Sequence, residues 1–141
     1  MISPYEIVSK SALPALRAMI ARRLQENYHM TQQQVAGLLG VTQASISNYA
    51  RKTRGMMVNL ESDPTVARAA DGIATELSRK DPDQREALRS MTDVLDYIRF
   101  NHMMCGLHGE LEPAFPVEGC SACDGALSAK DFGKVKILAR T

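Results

Sequence analysis

Apolar residues recur at intervals of three and four along most of this 141-residue chain, which is the period of amphipathic helices and not the alternation of strands. Short polar residues and prolines, which cap and start helices, stand immediately before several of these apolar stripes. The pattern therefore predicts an all-α protein. Its helices are expected to begin near Ser3, between Ala12 and Pro14, at Thr31, at Thr42, at Asp63 and within the run Asp81 to Gln84.

The most informative segment is Thr31 to Gly55, where two short helices are joined by a tight turn. Thr31 is suited to cap the first helix, and Val35 lies on the side of that helix expected to face the core. Gly40 can take the positive φ that ends this helix and starts the turn. In the second helix Ile46 is expected to face the core, which leaves small and polar residues facing outward.

Those outward residues have the chemistry that reads the edges of DNA bases. Glutamine and asparagine can form paired hydrogen bonds with adenine, serine can bond to several bases, and alanine can pack on a thymine methyl group. A surface helix that served solubility alone would more often carry glutamate and lysine. The predicted base-contacting residues are Gln43, Ala44, Ser45 and Asn48.

This segment resembles the helix-turn-helix of the phage repressor and Cro type, which belongs to the xenobiotic response element family of regulators. The resemblance covers about residues 14–60 and rests on T-Q-x-x-V-A, then G-V-T, then S-I-S-x-Y. It implies a repressor/Cro-like head in which residues 42–50 form the recognition helix and Gln32 contacts the DNA backbone. Members of this class bind palindromic double-stranded DNA as two-fold dimers, so a homodimer is expected.

Charge is unevenly distributed along a chain whose net charge is only +1. Residues 1–60 contain seven Lys and Arg against two Asp and Glu, a balance of +5, while residues 61–141 have a balance of −4. The basic half is the one where attraction to phosphates is needed. Arg22 and Arg23 either join that basic face or belong to an ordinary solvated helix face. The predicted phosphate contacts are Gln32, Thr42, Arg51, Lys52 and Arg54.

Two further apolar stripes, at 66–77 and 88–98, follow the predicted head. Together they would form a helical dimer interface, or the two helices simply pack on each other and on the head. The predicted organisation is a DNA-binding head at 1–60, a helical dimerisation segment at 61–103 and a metal-binding tail at 104–141. Within that tail, residues 125–141 are expected either to add an edge strand or to make a tail contact.

The tail contains cysteine and histidine at the spacing of metal ligands. A C-x2-H pair is followed after eleven residues by a C-x2-C pair. Each spacing lets one short turn direct two donors at one metal, and three thiolates with one imidazole complete the tetrahedral set of zinc. The same set can hold an iron–sulfur cluster, and free thiols are the third possibility. The predicted ligands are Cys105, His108, Cys120 and Cys123, with His102 as a competing histidine.

Several classes of protein do not fit the chain. No apolar run approaches the roughly 20 residues of a membrane span, and the beginning lacks the pattern of a secretory signal, so a cytoplasmic protein is expected. An odd number of cysteines argues against a disulfide framework. No enzyme is expected, because the strand-rich scaffold of a thioredoxin-like C-x-x-C site is missing.

Two functions remain from this reading. The first is a dimeric transcription regulator that represses by steric occlusion, with a C-terminal site for structural zinc or for a sensing iron–sulfur cluster. The alternative is an antitoxin or adaptor, in which the helix-turn-helix regulates its own gene and a zinc-held surface docks a protein partner.

Overall fold

The computed structural model describes residues 1–50 and 59–124, and within these two ranges every regular element is helical. The predicted all-α class is therefore confirmed for this part of the chain. The predicted phosphate contacts Arg51, Lys52 and Arg54, and the possible strand in 125–141, lie outside the described residues. The elements are α1 (Pro4–Ile7), a π-helical turn (Val8–Ala12), α2 (Leu13–Tyr28), α3 (Gln32–Leu39), α4 (Gln43–Ala50), α5 (Pro64–Leu77), α6 (Gln84–Phe100) and α7 (Cys105–Leu111).

The helix starts predicted from capping residues are confirmed. Ser3 and Thr31 each form a capping box, in which the hydroxyl and the side chain three residues later satisfy each other's backbone amides. Asp63 and Asp83 each accept two hydrogen bonds from amides of the first turn of α5 and α6. These side chains satisfy donors that a helix cannot pair internally, which is why the boundaries were readable from sequence.

The expected start between Ala12 and Pro14 is not a break between two helices. The chain stays helical from α1 through the π-helical turn into α2, and the Leu13 amide bonds to the carbonyl of Val8, five residues earlier. Proline cannot follow a regular α-turn, because it lacks the amide and its ring clashes with a carbonyl of the preceding turn. The wider turn directly before Pro14 lets the helix continue past it.

One hydrophobic core runs through the described chain, with α2 at its centre. α5 packs on both α2 and α6, and the core includes residues from both sides of the predicted boundaries at 60/61 and 103/104. Most residues of the two apolar stripes in 61–103 are buried or half-buried within this one chain. Contacts of α5 and α6 with each other and with the head therefore account for both stripes. The largest fully buried apolar side chains are Leu16, Ile20, Leu24, Val35, Ile46, Leu60, Val66, Ile73 and Ile98.

An ion-pair cluster joins α2 to the segment before α5. Arg23 donates to both carboxylate oxygens of Glu61, at 2.8 and 3.1 Å, and also contacts Asp71. Arg22 lies 3.4 Å from the same Glu61 carboxylate. Both arginines are therefore paired with the segment before α5, and Arg23 also links α2 to α5 through Asp71. The Arg23 guanidinium holds the pKa of Glu61 below its ordinary value of 4.5, despite partial burial that opposes the shift.

This cluster should make stability depend on acid. Because the folded pKa of Glu61 lies below its unfolded value, the cluster contributes fully above about pH 4.5 and loses its contribution as the pH falls through the folded value. Both groups are partly exposed, so we expect about 1 kcal/mol or less. Urea unfolding of the parent and of Glu61→Gln, at neutral and at acidic pH, measures it. An equal loss of stability on acidification in both proteins would contradict this role.

Candidate nucleic-acid interface and metal centre

The α3–α4 pair presents the predicted DNA-reading residues. Gly40 has φ 66°, which ends α3, and the amide of Val41 bonds back to the carbonyl of Ala36. Val35 of α3 and Ile46 of α4 are completely buried. Since one side of α4 is anchored in the core through Ile46, the opposite side of the helix faces outward.

The four predicted base-contacting residues do not all share one environment. Gln43, Ala44 and Asn48 are exposed, whereas Ser45 is half-buried. Thr42 Oγ1 accepts a hydrogen bond from the amide of Ser45 at 3.1 Å, and the two hydroxyls lie 2.9 Å apart. Thr42 therefore caps α4, and its hydroxyl contacts that of Ser45 at an exposed position. All four base contacts stay predictions, and the most exposed of the four residues are Gln43, Ala44 and Asn48.

Gln32 has a contact that sequence reasoning did not anticipate. Its Oε1 accepts from Nε2 of Gln43 at 3.5 Å, a long hydrogen bond between the first turns of α3 and α4. Gln32 is half-buried while Gln43 is exposed. The contact brings the two amides onto one surface and leaves the carbonyl oxygen of Gln43 available to a partner.

Arg17 of α2 supports the far end of α4 and was also missed from the sequence. Its guanidinium lies near the hydroxyl of Tyr49, and the Tyr49 side chain is half-buried. Burial raises the pKa of this hydroxyl, and the nearby Arg17 opposes the rise. α4 therefore packs on the core through Ile46 and, near its end, through Tyr49. The spacing of Arg17 in sequence gave no signal of this pairing.

The C-terminal ligand segment contains a helix where only a short turn was expected. α7 (Cys105–Leu111) places Cys105 and His108 one turn apart, and the preceding Met104 is almost completely buried. Two glycines within α7 disfavour helix formation by local propensity. Burial of Met104 and His108 against the rest of the chain accounts for the helix in spite of that cost.

His108 is occupied by contacts within the protein. Its Nε2 lies 3.0 Å from Oε2 of Glu112, and its ring stacks on Phe115 at a centroid distance of 4.6 Å. Glu112 also accepts a hydrogen bond from the amide of Ile2 at 2.9 Å. The amide of Ile2 and the imidazole of His108 hold the pKa of Glu112 below its ordinary value. This network connects α7 to the beginning of the chain.

The three cysteines are half-buried, and Cys105 and Cys123 border one small cavity. Burial raises the pKa of Cys105, and negative charge on Cys120 and Asp124 raises it further. Burial also raises the pKa of Cys123, with Cys105 adding to the rise and Arg99 opposing it. The amide of Ala122 donates to Cys120 Sγ at 3.4 Å. The turns after α7 therefore bring Cys123 to the cavity that Cys105 borders.

His102 lies at the chain reversal between α6 and α7. Its φ of 58° is in the left-handed region, which histidine adopts more readily than most non-glycine residues. The ring Nδ1 lies 3.5 Å from Cys105 Sγ, and Nε2 hydrogen-bonds to the carboxylate of Asp124. Of the two histidines, His102 is the one with a nitrogen in contact with a cysteine sulfur.

The donors do not converge on one point as they stand. Within residues 1–50 and 59–124, no three His, Cys, Asp or Glu side chains are grouped closely enough to hold a metal ion. The zinc or iron–sulfur site with Cys105, His108, Cys120 and Cys123 as ligands therefore stays a prediction. What the described residues do provide is one Cys–His contact, an amide-to-sulfur hydrogen bond and three neighbouring thiols.

Two observations complete the description. Among the described helices, none has both the length and the apolar composition required to cross a lipid bilayer. Comparison with known proteins found no family model, no curated protein and no solved structure that matches this chain.

Proposed function

We propose that this protein is a sequence-specific, DNA-binding transcription regulator that acts as a homodimer and represses by occluding its operator. The proposal includes a metal site in the C-terminal segment, for structural zinc or for a sensing iron–sulfur cluster. The observation that supports the proposal most strongly is the outward side of α4. It presents Gln43 at the start of the helix, and Ala44 and Asn48 on the side away from the core, to solvent, while Ile46 of the same helix is completely buried.

The position of Gln43 suits base recognition. It is the first residue of α4, and the N-terminal residues of a recognition helix are those that contact base edges in the major groove. Its amide is steadied by Gln32, so less rotational freedom is lost when it pairs with adenine. Asn48, more than one turn later on the same helix, extends the contact to a further base.

Charge supports the same orientation. The head carries the basic excess of +5, and Arg51, Lys52 and Arg54 follow α4 directly in sequence. Contacts from these residues to phosphates would add affinity without sequence preference and would make binding sensitive to salt. Of the seven cations in the head, Arg22 and Arg23 are paired with Glu61 and Asp71, so the attraction to phosphates falls to the other five.

Selection from a pool of random duplexes tests this function directly. We expect enrichment of a two-fold symmetric sequence whose half-sites are about one helical turn apart. The selection could instead recover duplexes that share no sequence, with a yield that falls as the salt concentration rises. That result would mean that the protein binds DNA only through its charge. Failure to retain any duplex would remove the proposal.

An apolar groove supplies a surface for the second copy. A cavity of about 320 Å³ lies between α3 and α6. Leu88 on its edge is 65% exposed, although other members of the same stripe are buried. We propose that a second copy covers this groove, because one recognition helix reads only a few base pairs and needs a two-fold partner. The apolar lining residues are Leu38, Leu39, Leu77, Ala87, Leu88 and Met91.

Leu88→Glu should convert the dimer into a monomer. The substitution places a charge within the proposed contact, where it would have to be buried without a partner. Light scattering coupled to size exclusion gives the mass. Leu111→Glu is the matched control, because Leu111 is another exposed leucine, on α7 and outside the groove. A Leu88→Glu protein that remains dimeric, or a Leu111→Glu protein that dissociates, would place the interface elsewhere.

A further inference from the structure

The C-terminal segment contains two histidines for one place in a Cys3His set. Sequence spacing favours His108, which forms a C-x2-H pair with Cys105, and His108 also borders a small cavity beside Cys105 and Cys123. The contacts of the folded chain distinguish the two histidines more sharply than spacing does.

His108 is committed to a structural network. Its Nε2 bonds to Glu112, its ring is stacked on Phe115, and the side chain is nearly fully buried. Turning this ring toward the thiols would break the stacking and the link through Glu112 to the amide of Ile2. His102 is exposed, and no stacking partner holds its ring among the described residues.

The distance between His102 and Cys105 is the distance expected of two ligands of one ion. Zinc bonds of about 2.3 Å to sulfur and about 2.0–2.1 Å to nitrogen, at a tetrahedral angle, place the two donor atoms about 3.5 Å apart. His102 Nδ1 and Cys105 Sγ are 3.5 Å apart. In an iron–sulfur cluster these ligands would bind different irons and would stand farther from each other.

The surroundings of these donors also match a metal site. Metal-bound histidines usually donate their other ring N–H to a carboxylate, which fixes the tautomer and the ring orientation. The Nε2 of His102 has that partner in Asp124, the residue directly after Cys123. The amide of Ala122 donates to Cys120 Sγ, and hydrogen bonds to ligand sulfurs tune such sites.

We propose that His102 Nδ1, together with the thiolates of Cys105, Cys120 and Cys123, binds one zinc ion, and that Asp124 orients His102. His108 instead holds α7 against the beginning of the chain. The turn that carries Cys120 and Cys123 closes onto Cys105 when the ion binds, which couples metal affinity to local folding. This assignment rests on the metal site of the proposed function and is independent of DNA binding.

Titration of the full-length, reduced and metal-free protein with Co²⁺ tests the assignment. We expect a thiolate-to-cobalt charge-transfer band and the strong visible bands of tetrahedral coordination, both bleached by one equivalent of zinc. His102→Ala should weaken cobalt affinity by at least about 100-fold, and Asp124→Asn by about 10–100-fold. Cys120→Ser should remove part of the charge-transfer intensity, because one thiolate is lost.

His108→Ala is the matched control. Its cobalt affinity should stay within about threefold of the parent's, a change well below the loss expected even for an outer-shell partner. Its thermal stability should fall. If the alanine variant does not fold, cobalt affinity can be measured on His108→Gln, which keeps a side-chain hydrogen-bond donor.

Four results would overturn the assignment. These are loss of the cobalt spectrum in the His108 variants with His102→Ala unaffected, no effect of either histidine, no tetrahedral spectrum in the parent, and anaerobic purification with a brown cluster. None of these measurements involves DNA, so each leaves the DNA-binding proposal standing, and failure of the duplex selection would leave the metal result intact.

Discussion

Gln43→Ala should weaken binding to the selected operator by about 1–3 kcal/mol per half-site and relax preference at one base position. In a dimer both half-sites change, so the total loss is about 2–6 kcal/mol if the half-sites act independently. Binding to unrelated duplexes should change little, because it depends on phosphate contacts. The expected signature is therefore a smaller ratio between specific and non-specific affinity.

The physical reason lies in the geometry of the amide. Gln43 is exposed at the first turn of α4, and its Nε2 donates to Oε1 of Gln32. A glutamine held in this way can offer its remaining donor and acceptor to an adenine edge as a pair. Alanine removes both hydrogen bonds while keeping the helix, since alanine is the best helix former.

Competition binding against the selected site, against single-base variants of it and against an unrelated duplex measures the effect. Asn27→Ala is a suitable control, because Asn27 is an exposed amide at the end of α2. An equal loss on all three classes of duplex would show that Gln43 contributes only to general affinity. Unchanged binding to every duplex would remove α4 from the interface.

Local features were predictable because local chemistry determines them. The capping residues Ser3, Thr31, Asp63 and Asp83 satisfy backbone amides of the helix that follows each of them, so sequence alone located those starts. Gly40 ends α3 with a positive φ, which glycine adopts without steric cost. These interactions span only a few residues, and tertiary contacts do not override them.

Features that depend on tertiary contacts were not predictable. The Arg23–Glu61 ion pair joins residues that are far apart in sequence and that follow no motif. α7 forms although its glycines disfavour a helix, because Met104 and His108 are buried. The environments of His102 and His108 likewise depend on Asp124 and Glu112, whose positions follow from the folded turn and not from ligand spacing.

The division of the chain into a head and a dimerisation segment is the expectation most affected by these contacts. The stripe on α5 was compatible with an interface to another molecule, and its periodicity alone did not indicate what it packs against. In the folded chain α5 lies between α2 and α6. The same pattern of apolar residues serves either purpose, so only the position of neighbouring helices decides between them.

Ile73→Ala should destabilise the whole protein by about 2–5 kcal/mol, the range for truncating a fully packed apolar side chain. Ile73 is 2% exposed, at the centre of α5. A loss of that size is a large fraction of the about 5–15 kcal/mol that stabilises a typical domain. Because the core is continuous, amide protection in α3 and α4 should fall together with that in α5 and α6.

Gly72→Ala, one position away, supplies a control of opposite sign. Gly72 is exposed within α5, and a Cβ there would meet no atom within 4 Å. Alanine should therefore stabilise the protein by about 0.5–1 kcal/mol.

Urea unfolding and hydrogen exchange on both variants distinguish one continuous core from a head that folds as an independent domain. If Ile73→Ala accelerated exchange in α5 and α6 while α3 and α4 kept their protection, the head would be an independent domain. A matched change in all four helices means that the proposed DNA-reading surface depends on a core to which the C-terminal helices contribute.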